Sequence, residues 1–354
     1  MPGVYISYPF CAQKCTYCNF ASGVLPRELE AQYVTALHNE IRAIDWPWTP
    51  ETVYFGGGTP SQMEPAILAS LIAAIPGAPF AEATLEAAPG NITVDRATAW
   101  RNAGINRVSL GVQSFITKEL SRTGRKHTAA IVEQEIANLR AAGITNFNID
   151  LIAGLPGQTA ATWSESLDWI ERLNAPHVSV YMLEIDEDSR LGSEALSLGQ
   201  RYGAPDIPSD DAIADFYESA VDRLAQMGVA RYEISNFSRP GLESRHNLKY
   251  WLREPYLGFG SDAHGFDGAD RIQNTEQAKD YVLNPTPERT PADPIAERFF
   301  LGLRLTRGIE PPFAPFEAAI EQRITEGLLQ ITNGRLQLTP RGVLLSNEVF
   351  SDFV

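Results

Sequence analysis

The sequence predicts an α/β fold: a partial parallel (β/α)6 barrel, then a C-terminal mixed region and a small winged-helix-like module. Three observations carry this expectation. Short β-branched or aromatic runs alternate with helical stripes from Val4 to Met182. Three helices are expected to stop at the same signal, Ala103-Gly104-Ile105, Ala142-Gly143-Ile144 and Met227-Gly228-Val229, a glycine leading into a strand. Cys11, Gly57, Glu86, Gln113 and Asp150 all fall at or just past strand ends. Five successive strands feeding one rim favour barrel curvature over an open sheet with one switch-point crevice.

Val4-Tyr5-Ile6-Ser7-Tyr8 alternates β-branched and aromatic residues before Pro9 and reads as a strand delivering the loop Cys11 to Cys18. Glu28 to Ile44 carries Leu29, Tyr33, Leu37, Ile41 and Ile44 on one helical stripe. Thr52 to Phe55 is a strand ending in Gly56-Gly57-Gly58-Thr59-Pro60, followed by a helix over Pro65 to Ile75. Further strands are expected at Thr84–Ala87, Arg107–Gly111, Asn146–Leu151 and His177–Met182, with helices near Val94–Ala103, Thr128–Ala142 and Thr162–Leu173. Beyond Gly228 the pattern changes. Arg231 to Phe237 reads as one more strand, and Asn284 to Pro294, with four prolines, as a connection. The expected divisions are 1–228 for the part-barrel, 229–290 for an extension and 291–354 for the module, where helices, an Asn333-Gly334 turn and a Thr339-Pro340 helix start suggest a winged helix.

Bulk properties narrow the function. A formal charge of −15 argues against nucleic-acid binding, and residues 295–354 hold six Arg against seven acidic residues, which argues against a DNA-binding use of the module. No apolar run approaches the ~18 to 20 residues of a membrane helix. Residues 1–10 lack a signal-peptide pattern, so a cytoplasmic, reducing setting is expected. Oligomeric state and peripheral membrane contact are left open.

Cys11, Cys15 and Cys18 are the only cysteines in 354 residues, spaced C-x3-C-x2-C. Three close thiols cannot make an even disulfide set and read as soft ligands of an iron–sulfur cluster; a zinc site completed by a histidine is the alternative. Three thiolates leave one iron of a cubane open to a ligand that is not protein. That iron could chelate S-adenosylmethionine and pass it an electron. Gly56, Gly57, Gly58 and Thr59 allow close backbone approach to its methionine end. Glu86, Gln113, Arg125 and Asp150 are polar groups at strand ends suited to ribose hydroxyls and a carboxylate, or else ordinary rim residues.

This cysteine spacing resembles the radical S-adenosylmethionine (SAM) superfamily. With Tyr5 to Cys11, Gly56 to Pro60, Leu110 to Phe115 and Asn148 to Pro156, the chain looks like the oxygen-independent coproporphyrinogen III oxidase group over nearly its full length. The resemblance implies a radical SAM part-barrel, with a [4Fe-4S] cluster on Cys11, Cys15 and Cys18. It also implies S-adenosylmethionine contacts from Tyr5, Glu86, Gln113, Arg125 and Asp150. Two departures stand out: Phe20 occupies the place of the oxidase's fourth cysteine, and the first cysteine is already residue 11, leaving no room for the oxidase's long N-terminal arm. His246-Asn247-Leu248-Lys249-Tyr250-Trp251 matches the H-N-x-x-Y-W signature of the sister branch of haem chaperones. That branch implies haem as ligand, respiratory haem proteins as recipients and an electron donor for the cluster. His246 would offer an imidazole to iron, with His127, His177 and His264 as alternatives, while Asn247, Tyr250 and Trp251 would surround the porphyrin. No catalytic residue is assigned. The competing expectation is a radical enzyme acting on a porphyrinogen, or a related methyltransferase.

Overall fold

A computed structural model describes the whole chain, Met1–Val354. Strands β1 (Gly3–Tyr8), β2 (Thr52–Gly57), β3 (Glu82–Ala87), β4 (Arg107–Gln113), β5 (Asn146–Ala153) and β6 (His177–Met182) lie side by side, all parallel. Helices cover them, as the apolar stripes require. Arg27–Ala43, for instance, buries Tyr33, Leu37 and Ile41. The glycine stops are real: Gly104, Gly143 and Gly228 have φ of 110°, 82° and 75°, which L side chains rarely adopt.

Residues 229–290 extend this same sheet at both ends. β7 (Ala230–Arg231) and β8 (Asn236–Ser238) fold back on each other beside β6, where one continuous strand was expected. On the other side β9 (Tyr256–Phe259) pairs in parallel with β1, and β10 (His264–Phe266), β11 (Asp270–Gln273) and β12 (Glu288–Pro291) follow antiparallel. The sheet order is β12-β11-β10-β9-β1-β2-β3-β4-β5-β6-β8-β7. The proline-rich stretch expected as a connection thus supplies the edge strand β12, the one place in a sheet where proline costs no ladder bond.

The C-terminal residues form helices Pro294–Gly302 and Glu317–Thr325, a hairpin of β13 (Leu329–Thr332) and β14 (Arg335–Leu338), and two short helices, Pro340–Leu344 and Ser346–Phe350. Asn333 and Gly334 have φ of 52° and 77°, the positive pair that a two-residue hairpin turn prefers. Phe299, Phe316 and Phe353 pack with ring centroids 4.9 to 5.1 Å apart. Phe299 and Phe353 belong to the same continuous core as Val4, Trp100 and Trp163, and Phe316 packs against it. No helix is long and apolar enough to cross a membrane.

Candidate cluster and cofactor site

The cysteine loop leaves β1 through Pro9 and Phe10 and is fastened on several sides. The Cys11 amide donates to the Gly23 carbonyl at 2.9 Å, and Gly23 donates back to Pro9 at 2.9 Å. Thr16 donates to Thr123 and accepts from Leu191, at 3.2 and 2.8 Å. Gln13 donates to Gly124, and Arg190 to Lys14. From β2, Gly58 and Thr59 donate to Tyr8 and Phe10 at 2.7 and 2.9 Å. A methyl group on Gly58 would stand 2.7 Å from the Phe10 carbonyl oxygen and 2.9 Å from Cys11 Sγ, so only glycine fits against this sulfur.

All three thiols are free and half-buried. They are not gathered as ligands of one ion; thiolates that each take a different iron need no common point. Burial pushes the Cys11 thiol up, so its thiolate needs a cation to form. Arg125 supplies positive charge nearby: burial opposes its ionisation, yet Tyr17 and Cys15 beside it hold it above its ordinary value.

Inside the strands one position per strand stays open while its neighbours are buried: Tyr5, Tyr54, Glu86, Gly111, Asp150 and Tyr181. Period-two alternation turns the residues on either side of these positions toward the covering helices and this set toward the lumen. The Tyr5 and Tyr54 rings stack at 6.1 Å, and Tyr54 donates its hydroxyl to Glu86 Oε1 at 2.8 Å. Asp150 Oδ1 accepts from Asn148 at 2.6 Å. Gln113 ends β4 with φ of 71°, a left-handed conformation unusual outside glycine, at a shift of register with β5. Arg125 donates to the Gly111 carbonyl at 2.7 Å. Gln113 Oε1 and Arg125 Nε are buried without a partner. A lumen with two carboxylates, two unsatisfied polar groups and a glycine-lined wall fits a nucleoside bearing an amino acid, as S-adenosylmethionine does.

The stretch His246 to Trp251 lies elsewhere. It forms a short helix, Arg245–Trp251, against the N-terminal ends of the parallel strands, opposite the cysteine rim. Glu82, first in β3, accepts from the amides of Arg245 and His246 at 3.0 and 2.9 Å. His246 is fully buried, with Nδ1 bonded to Thr52 Oγ1 and Nε2 to Tyr250 hydroxyl, both at 2.8 Å. Asn247 is half-buried, its amide capped by Ser244 at 3.3 Å. Trp251 faces the C-terminal residues, with the Arg304 guanidinium 4.5 Å from its ring. His127 and His177 are likewise buried and hydrogen-bonded, to Val112 at 3.1 Å and to Asn148 and Tyr232 at 2.7 and 2.9 Å. His264 is exposed on β10.

Comparison with known proteins places this geometry. Residues 5–170 match the Radical SAM superfamily and residues 290–345 the HemN C-terminal domain. The chain is 33% identical to Heme chaperone HemW of Bacillus subtilis (strain 168) over 100% of this chain and 99% of that protein. It is 35% identical to Heme chaperone HemW of Mycobacterium tuberculosis (strain ATCC 25618 / H37Rv), over 98% of this chain and 93% of that protein. The chain belongs to the HemW family. The solved coproporphyrinogen III oxidase (HemN) from Escherichia coli superposes with a TM-score of 0.83 at 22% identity, covering 99% of this chain and 90% of that one, which establishes the shared fold.

The HemW-family lumen also holds residues that sequence reasoning passed over. Tyr54 and Tyr181 were hidden in ordinary strand patterns; alternation about buried Val53 and Phe55 was the one available signal for Tyr54. Arg107 is buried at the start of β4 with Nε unpartnered; burial raises the pKa of both Glu86 and Asp150, and the Arg107 charge offsets only part of that rise. Burial thus lifts the Glu86 carboxyl to about 7. Ribose hydroxyls donate better to the ionised form. S-adenosylmethionine affinity of this HemW-family protein is therefore expected to rise with pH across about pH 6 to 8, and to flatten in Glu86→Gln, in equilibrium binding titrations. A slope that persists unchanged in Glu86→Gln would assign the titrating group elsewhere.

Proposed function

We propose that the chain is a haem-binding chaperone of radical SAM type that passes haem to respiratory haem proteins in the cytoplasm. The observation that carries this reading is its end-to-end similarity to Heme chaperone HemW. In this reading Cys11, Cys15 and Cys18 hold a [4Fe-4S] cluster, with an external electron donor, and Arg125 contacts the S-adenosylmethionine. Tyr5, Gly56, Gly57, Gly58, Thr59, Glu86, Gln113 and Asp150 line the S-adenosylmethionine pocket, and haem is the ligand carried. The chemistry the bound pair supplies is one-electron reduction of the sulfonium at the iron no thiolate holds. The glycine wall admits the methionine end, and the two carboxylates orient the ribose.

The test is anaerobic reconstitution followed by titration with haem. A saturating shift of the Soret band is expected, and transfer of the bound haem to an apo-form respiratory haem protein completes the assignment. Absence of uptake, with decarboxylation of coproporphyrinogen III in the presence of S-adenosylmethionine and a reductant, would replace the chaperone reading with the oxidase.

A further inference from the structure

We propose that His246 is a positioning residue for the S-adenosylmethionine pocket, holding Tyr54 and through it the carboxyl of Glu86, rather than the ligand of haem iron. The inference rests on the reading of Glu86 as a ribose contact. Its structural basis is a continuous line of contacts from the floor of the barrel to the lumen. The His246 imidazole is fixed at both nitrogens, by Thr52 Oγ1 and the Tyr250 hydroxyl at 2.8 Å each. The Tyr54 ring stacks on it at 5.3 Å with 28° between planes, and also on Tyr5 at 6.1 Å. Tyr54 then reaches Glu86 Oε1 at 2.8 Å.

Iron ligation needs an imidazole nitrogen with an exposed lone pair, and a porphyrin needs room on both faces of the iron. His246 offers neither, since it is fully buried, both nitrogens are engaged and its ring is packed against Tyr54 and Tyr250. Burial, with Lys249 and Arg107 nearby, lowers its pKa to about 3, so it stays neutral and can donate at one nitrogen while accepting at the other. The Tyr54 hydroxyl stays protonated, because burial lifts its pKa well above the ordinary value. It is therefore a permanent donor to Glu86. What His246 supplies is a flat, rigid seat beneath that donor.

The test compares Tyr54→Phe, His246→Ala, His246→Phe and Glu86→Ala in the full chain with its cluster reconstituted. Cluster content, S-adenosylmethionine affinity and the haem Soret band are measured for each. Tyr54→Phe and His246→Ala are each expected to weaken S-adenosylmethionine binding on the order of tenfold. Combined, they should do no more damage than the worse of the two, because both act through one carboxyl. His246→Phe, which restores a flat ring under Tyr54, should recover most of the affinity, and it also serves if the alanine variant fails to fold. Haem uptake and Soret position should be unchanged in His246→Ala and His246→Phe. Loss of the Soret shift in both His246 variants with affinity intact would overturn the proposal and make His246 the iron ligand. Weakened binding in Glu86→Ala with full affinity in Tyr54→Phe and both His246 variants would reject the positioning role alone. Full affinity in Glu86→Ala would instead overturn the pocket reading and the proposal with it.

Discussion

Cys11→Ala is expected to abolish cluster binding while leaving the barrel folded. The backbone bonds that fasten the loop, Cys11 to Gly23 and Gly23 to Pro9, do not involve the thiol. Alanine keeps them and, being smaller than cysteine, meets no clash beside Gly58. The chain has no other cysteine beyond Cys15 and Cys18 to take its place, and two thiolates cannot hold the three irons that protein ligands must cover. Iron and sulfide content after reconstitution, with the visible charge-transfer absorption, reads the outcome, and a thermal melt of the apo-protein within about 1 kcal/mol of the parent confirms the fold. A full cluster in Cys11→Ala would mean that a group other than the three thiols serves as ligand.

The second large effect is expected from Glu82→Ala. This buried carboxylate caps the helix Arg245–Trp251, accepting from the amides of Arg245 and His246 at 3.0 and 2.9 Å and from Ser244 Oγ at 3.4 Å. Alanine would strand these donors away from water at the junction of β2, β3 and the helix. Hydrogen bonds to a charged group are worth more than neutral ones, so a loss of about 3 kcal/mol or more is expected. Denaturant unfolding of the apo-protein measures it. Glu82→Gln, which keeps the side-chain volume and two acceptor positions on one oxygen, should lose less; equal losses would assign the effect to the negative charge and the second oxygen rather than to packing.

The cysteine rim was legible in sequence because its signals are local. Three cysteines, a glycine run and polar residues at strand ends each declare themselves within a few residues, and parallel β-α alternation brings them to one rim. The helix Arg245–Trp251 was not legible as a helix or as a floor. Its polar residues look like ligands in a linear reading, yet Lys249 pairs with Glu51 at 2.8 Å, and Thr52 and Glu82 satisfy His246. Those partners lie 164 to 198 residues earlier, and no periodicity in the motif encodes them. The antiparallel strands β10 to β12 were missed for a related reason: strands of three or four residues with few β-branched or aromatic side chains carry little β signal, and pairing rather than propensity forms them.

The pairing of Gly3 with Tyr256 sets a schedule for synthesis. The strand that carries the cysteines leaves the ribosome about 250 residues ahead of β9, and β2 can dock on one side of it soon afterwards. Its other flank stays an open edge until residues 256–259 arrive, and the loop lacks the Leu191 tether until translation has passed that point as well. Such non-local closure is slow, and an unpaired edge invites wrong partners while it lasts. The nascent chain therefore completes the housing of its metal only after residues 256–259 have been made, which sets an order of events: pair β1 on both flanks first, install iron and sulfide second.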